Sequence, residues 1–500
     1  MSDPLLVGVD AGLTNTKAAA FTRDGETVAV ETRETPSGDG LPGRDDQDHD
    51  ALWEAVADTI ATVTGDDAVD PESVAGVGVA GHGHGLYALD ADDSPVVGIK
   101  STDSRAMSRL EEWRADGTLA AATDRLGWEP FGADPFSLLA WLKSERPAAY
   151  SKVETVLFCK DVITHRLTGR LGTDTMEGSV FYGPDDDYDP SVFDTFDIPE
   201  AFDALPRVVE STSVCGEVTE SAAAATGLPT GTPVAAGLHD VGACALGAGA
   251  IRPGQGVVIL GTWGQSVAVL DDPDGGGTGL PRRFLDNWIR YRGIRSGTAC
   301  VDWFVDEFGD KWRAEADERG VNPYVVYDET VADAPVGAGG VIFHPYLSGS
   351  TDYPEARGGF YGLTLDHSGE ELLRAVYEGV AIAQCTGLAD LSSGVSDLRL
   401  TGGGARSEVW SETFADIHGN PVSVPDGDEL GARGAALCAG VAADLYEDHR
   451  AATSIAVDVN RTHDPDPETV TTYRHLVDTF ERVREDVRPT WKLLNRDGWK

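Results

Sequence analysis

"VGVDAGLTNTKAAAFTRDG" spans Val7 to Gly25, and its reading decides the fold. An apolar run, Leu5 to Val9, ends in Asp10; a small-residue turn follows, and Lys17 leads into a second apolar run. Strand, tight turn and strand, then an Asp24-Gly25 turn and a third strand, predict an antiparallel meander over residues 5–33. Glycine and small side chains let backbone N–H groups approach a phosphate closely. Thr14 and Thr16 add hydroxyls, Lys17 adds a positive charge, and Asp10 at the strand end could hold a magnesium ion through water. A hairpin whose turn is simply polar fits the same residues, so the choice rests on what recurs downstream.

The pattern does recur. "GQGVVILGTWGQSVAVLDD" (254–272) is again strand, Gly261-Thr262 turn, strand and acidic turn, and two such hairpins can grip one polyphosphate from both sides. Between them, apolar residues at 52, 53, 56, 60 and 63 predict a helix over 47–63, and "VAGVGVAG" (74–81) reads as a short buried strand. Residues 106–113, 135–147 and 161–170 read as helical, the last ending at Gly169. The Asp-, Pro- and aromatic-rich stretch 181–201 reads as a surface insertion. Further on, "LRLTGGGARSEVWSETFADIHG" (398–419) runs from a strand through three glycines into a helix. A last amphipathic helix, with Val470, Tyr473, Val477, Phe480 and Val487 on one stripe, follows the Pro-rich link 464–467. The chain therefore reads as two similar α/β halves with a seam near 250.

At 500 residues the chain is too long for a single core. Its six cysteines (159, 215, 244, 300, 385 and 438) form no CxxC pair, which argues against a disulfide framework or structural zinc and for a reducing, cytoplasmic compartment. No stretch has the composition of a signal peptide or the length of a membrane helix. The charge stands out: 84 acids against 39 bases give −45, and only eight of those bases are Lys. Such a field repels phosphate backbones and excludes nucleic acid as a partner. The acids alternate with regular apolar periodicity, so the chain reads as a folded protein with a solvated acidic surface suited to high salt.

Three more segments carry candidate chemistry. In "GLHDVGACALGAG" (237–249), Asp240 precedes a small-residue helix, where it could cap the helix or accept a hydroxyl proton. In "TGGGARSEVW" (401–410) the glycines leave room for a flat base, or form an ordinary strand-to-helix turn. "GHGHG" (81–85) lacks acids or cysteines at ligand spacing nearby, so its histidines read as polar contacts for a hydroxylated ligand rather than as a zinc site. "STDSRA" (101–106) adds Asp103 and Arg105, alternatively a surface ion pair.

These pieces in this order resemble the FGGY carbohydrate kinases. The most specific match is "GGFYGLTLDHSGEELLRAVYE" (358–378): Gly358, Phe360, Gly362, Leu363, then Glu371, Leu372, Ala375 and Glu378. The similarity runs from residue 5 to about 490 and extends in detail to the xylulokinase and L-xylulose kinase branch, notably over 74–106 and 231–250. It implies two actin-like (RNase H-like) α/β ATPase domains with an ATP/sugar cleft between them. The expected division is 1–248, carrying sugar site, first phosphate loop and base; 249–445, carrying second phosphate loop and adenosine site; and a helical extension over 446–500.

The resemblance further implies that Asp10, Thr14, Asn15 and Lys17 form the first phosphate motif, with Asp10 toward Mg2+. Gly261 and Thr262 match the second phosphate motif, Gly402, Gly403 and Gly404 the adenosine motif, and Asp240 the catalytic base. His82, His84, Asp103 and Arg105 match the sugar-lining positions. The implied partners are ATP and a sugar or polyol, with no nucleic acid or membrane, and a homodimer is compatible with them. The implied activity is transfer to the terminal hydroxyl of a ketopentose such as xylulose. Glycerol, erythritol, ribulose or gluconate are alternative acceptors, and an actin-like switch or sugar sensor is the alternative of another class. The chain departs from the D-xylulose pattern at Leu13, where a Thr is common, at His82-Gly83 in place of Gln-Met, and at Ser101 in place of Trp. The latter two bring it nearer the L-xylulose kinase type.

The charge yields a first expectation. The Debye length grows to roughly 30 Å in dilute buffer, where surface acids repel across whole domains. Thermal unfolding monitored by circular dichroism should shift steeply upward between dilute buffer and molar KCl. A midpoint that stays put over that range contradicts the halophilic reading of the −45 charge.

Overall fold

Residues 5–33 form the meander that the opening stretch predicts: β1 (Leu5–Ala11), β2 (Asn15–Thr22) and β3 (Thr27–Glu34). In the computed structural model, which describes residues 3–38, 40–183, 186–273, 277–295, 297–350, 353 and 355–494, these strands lie in the first of two compact units. That unit comprises Met1–Ile251, Pro281–Ile289 and Gly427–Asp458; the second comprises Arg252–Leu280, Arg290–Asp426 and Val459–Lys500. This division does not follow the boundaries drawn from the sequence. Residues 427–458 pack in the first unit, and the final helix, Pro467–Leu494, packs in the second.

The first unit's sheet adds β4 (Val74–Gly81), β5 (Val214–Glu217), β6 (Pro233–Ala235) and β7 (Leu238–His239) in the order β5-β6-β4-β1-β2-β3, with β7 also on β4. β1, β6 and β7 all run parallel to β4. Both faces of β1 are covered, which is why it reads as a continuous apolar run. Period-two alternation sorts its residues. Val7 and Val9 share a core with Leu52, Val56 and Ile60 of the helix His49–Thr64. Leu6, Gly8 and Asp10 face the other way, toward the helix Leu430–Ala442.

That second face is built by close backbone approach. A Cβ on Gly8 would stand 1.8 Å from Ala432 O, and one on Gly78 of β4 would stand 1.8 Å from Ala435 O. The same helix locks onto the helix Asp240–Gly247, where a Cβ on Gly434 would lie 1.8 Å from Ala243 O. The buried guanidinium of Arg433 ties the two together, donating to Gly247 O from Nη2 at 2.7 Å.

Residues 181–201 are not the surface insertion that their composition predicts. Phe181, Val192, Phe193, Phe196 and Ile198 are buried, and Phe136 meets the rings of Phe181, Phe193 and Phe196 at 5.1–5.4 Å. The aromatic residues form a core while the intervening acids stay outside or cap, as Asp189 caps Pro190–Thr195. Residues 184 and 185 of this stretch lie outside the described residues.

The second unit repeats the plan. β8 (Gln255–Leu260) and β9 (Gly264–Leu270) form the hairpin, and β10 (Asp397–Thr401), β11 (Val422–Pro425) and β12 (Val459–His463) continue the sheet in the order β9-β8-β10-β11-β12. β8 pairs parallel with β10 as β1 does with β4. The 358–378 signature acquires a physical meaning here. Glu371 closes a capping box with Ser368 at the start of the helix Gly369–Leu391. Glu378 Oε1 accepts from Gly337 N (2.9 Å), Arg374 Nε (2.8 Å) and Tyr473 OH (2.9 Å), tying that helix to the final one. Among the described residues no helix is long and apolar enough to cross a membrane, and no two cysteines are joined in a disulfide.

The glycine-mediated contact should be intolerant of one methyl. Gly434→Ala, an intrinsically good helix substitution, should instead lower stability by about 1–3 kcal/mol through overpacking. Denaturant unfolding in molar KCl checks this; an unchanged or raised midpoint would show that the helices are not held at this distance.

Candidate active site

Parallel strands of an open sheet present ligands beyond their carboxyl ends. In the first unit Gly81 is paired with Ala11 on one side and His239 on the other. The strand ends therefore bring Asp10, His82 and Asp240 to one edge. Asp10 faces the Leu430–Ala442 helix so closely that a Cβ on Gly431 would lie 2.3 Å from its Oδ2, while its Oδ1 is buried with no hydrogen-bond partner among the described residues. Burial pushes its pKa up to about 6 against the pull of Lys17, and Glu429 adds to the rise. Asp240 is pushed up to about 7, first by burial and then by the charge of Asp10.

Asp240 is not the cap of its helix. His239 holds the cap position, its Nδ1 accepting from Val241 N at 3.3 Å, and Asp240 Oδ1 accepts from the same N–H at 2.7 Å. In the β1–β2 turn, Gly12 N donates to Asn15 O (3.0 Å) and Thr35 N donates to Thr14 O (2.8 Å), leaving the Thr14 and Asn15 side chains exposed. Thr16, read from the sequence as a further hydroxyl for phosphate, is instead buried and paired with Thr35 at 2.9 Å. Alternation explains this, because Thr16 points to the covered face. Lys17 sits opposite Asp10 and donates to Glu429 at 2.7 Å, a partner 412 positions away.

The "GHGHG" turn follows β4. His82 Nε2 meets Tyr87 OH at 3.0 Å, and His84, at φ 58°, meets Asp134 Oδ1 through Nδ1 at 2.9 Å. Burial lowers His82 to about 4 and lowers His84 and His239 as well, so these rings are neutral hydrogen-bonding groups. Gly83 is required by its neighbour: a Cβ there would stand 1.6 Å from His239 Cδ2. His84 and His239 lie at right angles, 6.2 Å apart. Among the described residues no three His, Cys, Asp or Glu side chains gather as a metal site.

Asp103 and Arg105 are a buried pair, not a surface one. Arg105 Nη2 reaches Asp103 (2.7 Å) and Asp46 (2.6 Å), and its guanidinium covers Trp141 at 5.0 Å. Asp103 also accepts from Asp45 N at 2.8 Å. The loop carrying them adjoins the histidine turn, since a Cβ on Gly85 would lie 3.3 Å from Ser101 N.

Sequence reasoning missed His239, Asp134, Lys100, Glu429 and Arg282. Lys100 is buried and donates to Leu13 O (3.1 Å) and Ser37 Oγ (2.7 Å), bracing the β1–β2 turn. The dipeptide His239-Asp240 was visible, but the other residues come from separate segments with no local pattern, Arg282 from the strand Leu280–Phe284.

In the second unit Gly261 and Thr262 form the β8–β9 turn, with Gly261 O accepting from Thr298 N at 2.8 Å. Gly402, at φ 85°, ends β10, and a Cβ on Gly404 would meet Leu260 Cδ2 at 2.5 Å. The two glycine motifs are thus adjacent, joined through Leu260. Gly403 has open space where a side chain would be, as a flat ligand requires.

Models of the FGGY family of carbohydrate kinases match the chain twice: the N-terminal domain over residues 5–247 and the C-terminal domain over 256–443. The chain is 32% identical over 457 residues to the L-xylulose/3-keto-L-gulonate kinase of Escherichia coli (strain K12), spanning 88% of each. It is 28% identical over 503 residues to the autoinducer-2 kinase of the same strain, spanning 96% of this chain and 94% of the relative. Its fold is that of the gluconate kinase from Lactobacillus acidophilus (TM-score 0.87, 23% identity, 98% and 100% covered). The xylulose kinase from Rhodospirillum rubrum is similar (TM-score 0.85, 26% identity, 98% and 100% covered). With both domain models matched across two α/β units of actin-like ATPase fold, the chain belongs to the FGGY family of carbohydrate kinases.

Proposed function

We propose that this protein is an ATP-dependent kinase that phosphorylates the terminal hydroxyl of a ketopentose such as xylulose. Family membership makes it a phosphotransferase with an alcohol acceptor, and the L-xylulose kinase relative supports the ketopentose. The observation that carries the assignment of the base is Asp240. It stands at the carboxyl edge of the sheet beside Asp10, with a carboxyl that burial holds at about 7. A base poised near the working pH transfers protons most effectively.

In this reading the first unit supplies the acceptor site, with His82, His84, Asp103 and Arg105 binding sugar hydroxyls. It also supplies the first phosphate turn through Thr14, Asn15 and Lys17. The second unit supplies the second phosphate turn at Gly261 and Thr262 and the adenosine platform at Gly402, Gly403 and Gly404. Asp10, with its unpartnered buried oxygen, fits Mg2+; when bound, the ion would neutralise phosphate charge. Asp240 takes the proton of the terminal hydroxyl as its oxygen bonds to the γ-phosphorus. The bond from that phosphorus to the β,γ-bridging oxygen breaks, and ADP leaves. Lys17 must exchange Glu429 for phosphate during this step.

Asp240→Asn should lower kcat by ~10²–10⁴ with ATP binding retained. The melting temperature should hold, because Asn still accepts from Val241 N and His239 still caps. Retention of more than about a tenth of wild-type kcat, outside that range, would move the base elsewhere. The pH dependence has a definite sign. The base works as a carboxylate, so kcat/KM should climb as pH rises through about 7 and level off above it. A flat profile from acid to neutral pH in an ADP-release assay would contradict Asp240 as the titrating base.

A further inference from the structure

The β8–β9 turn of the second unit is anchored from two sides. At its base a Cβ on Gly264 would stand 1.6 Å from Gln384 Nε2, and Ser266 Oγ donates to Gln384 Oε1 at 3.0 Å. Across from it, Thr298 N donates to Gly261 O at 2.8 Å and Ala299 N to Thr262 O at 3.4 Å. A Cβ on Gly297 would stand 2.2 Å from Gly261 O, so the backbone at 297–299 lies directly on the turn. Two residues earlier, the guanidinium of Arg295 lies 5.7 Å from the centroid of the Trp263 ring, and Trp263, in the turn itself, is 51% exposed.

Arg295 is exposed, and among the described residues no carboxylate pairs with it. The arginines just before it are taken up: Arg290 is buried and donates to Leu391 O at 3.5 Å, and Arg292 pairs with Asp390 at 3.0 Å. Arg295 is also the only charged residue in the two segments that build this place, 254–270 and 293–301, although the chain carries 84 acids and a net charge of −45. The acids stay away from the turn and one cation stands beside it. A guanidinium stacked on a ring keeps its edge donors for a ligand, and that planar fork matches a phosphate through paired hydrogen bonds. The neighbouring glycines say which part of a nucleotide comes here. A Cβ on Gly402 would stand 2.8 Å from Leu260 O, so the Gly402–Gly404 platform adjoins the start of the turn. With the base on that platform, the phosphate tail is the part that meets residues 261–263.

We propose that Arg295, held by the Trp263 ring, binds the nucleotide's phosphates beyond the α-phosphate, so that this pair separates ATP and ADP from AMP. The inference rests on the kinase reading and adds to it a cationic contact from outside the glycine motifs.

Calorimetric titration of the full chain with ATP, ADP, AMP and adenosine, with Mg2+ in molar KCl, tests it beside ADP release with xylulose. Arg295→Gln should weaken ATP and ADP by about 10-fold or more, the range of a charge-assisted hydrogen bond, and leave AMP and adenosine unchanged. KM for ATP should rise by the same factor while KM for xylulose holds. Arg295→Lys keeps the charge without the fork and should recover part of the loss, and Trp263→Leu should lose part of the same discrimination. Equal weakening of ADP and adenosine in Arg295→Gln would make Arg295 a support of the turn, and in Trp263→Leu would make the ring a platform for the base; either overturns the inference. Unchanged ATP and ADP binding in Arg295→Gln, with xylulose turned over by the wild type, overturns this inference alone. Absence of nucleotide binding and turnover in the wild type overturns the kinase reading, and this inference with it.

Discussion

One helix, Leu430–Ala442, lies against β1, β4 and the Asp240–Gly247 helix at distances that leave no room for a side chain between backbones. The rest of the first unit's site depends on that contact. Close approach needs small residues on both partners, and both have them: Gly8 and Gly78 on the strands, Ala432, Gly434 and Ala435 on the helix. The helix N-terminus then delivers Glu429 to Lys17 and Gly431 to Asp10. Its middle sets the height of the Asp240 helix. A segment from late in the chain therefore fixes the spacing of carboxylates and ammonium that the opening hairpin only begins.

The electrostatics follow from that burial. Asp10 and Asp240 are half-buried on one sheet edge, so each resists ionising, and the charge of Asp10 adds to the cost of ionising Asp240. The three histidines nearby are neutral for the same reason. The site is thus a place where charge is expensive and proton transfer is poised. That environment favours moving a proton from a hydroxyl as phosphoryl charge develops.

Much of this was legible in the sequence. The Val7–Gly25 meander, the 254–272 repeat, the β4 strand and the catalytic candidates Asp10 and Asp240 all follow from local pattern. Period two even explains why Asp10 shares a face with Gly8. What was illegible was long-range. The small-residue run Leu430–Gly440 reads as a generic helix, and nothing local says that it packs on strands hundreds of residues earlier. Residues 181–201 misled because composition averages acids outside with aromatics inside, and only packing separates the two. Glu429, Lys100 and Arg282 were missed because single charges in loops, or in a short strand as Arg282 is, look solvated until a fold buries them.

The central claim is that this sheet edge activates a sugar hydroxyl toward ATP. It is tested most directly by 31P NMR of the purified protein with ATP, Mg2+ and xylulose in molar KCl. The account predicts one phosphomonoester on the terminal carbon for each ADP formed, and almost no inorganic phosphate. Release of inorganic phosphate at a rate independent of the sugar, with no phosphomonoester, would contradict it.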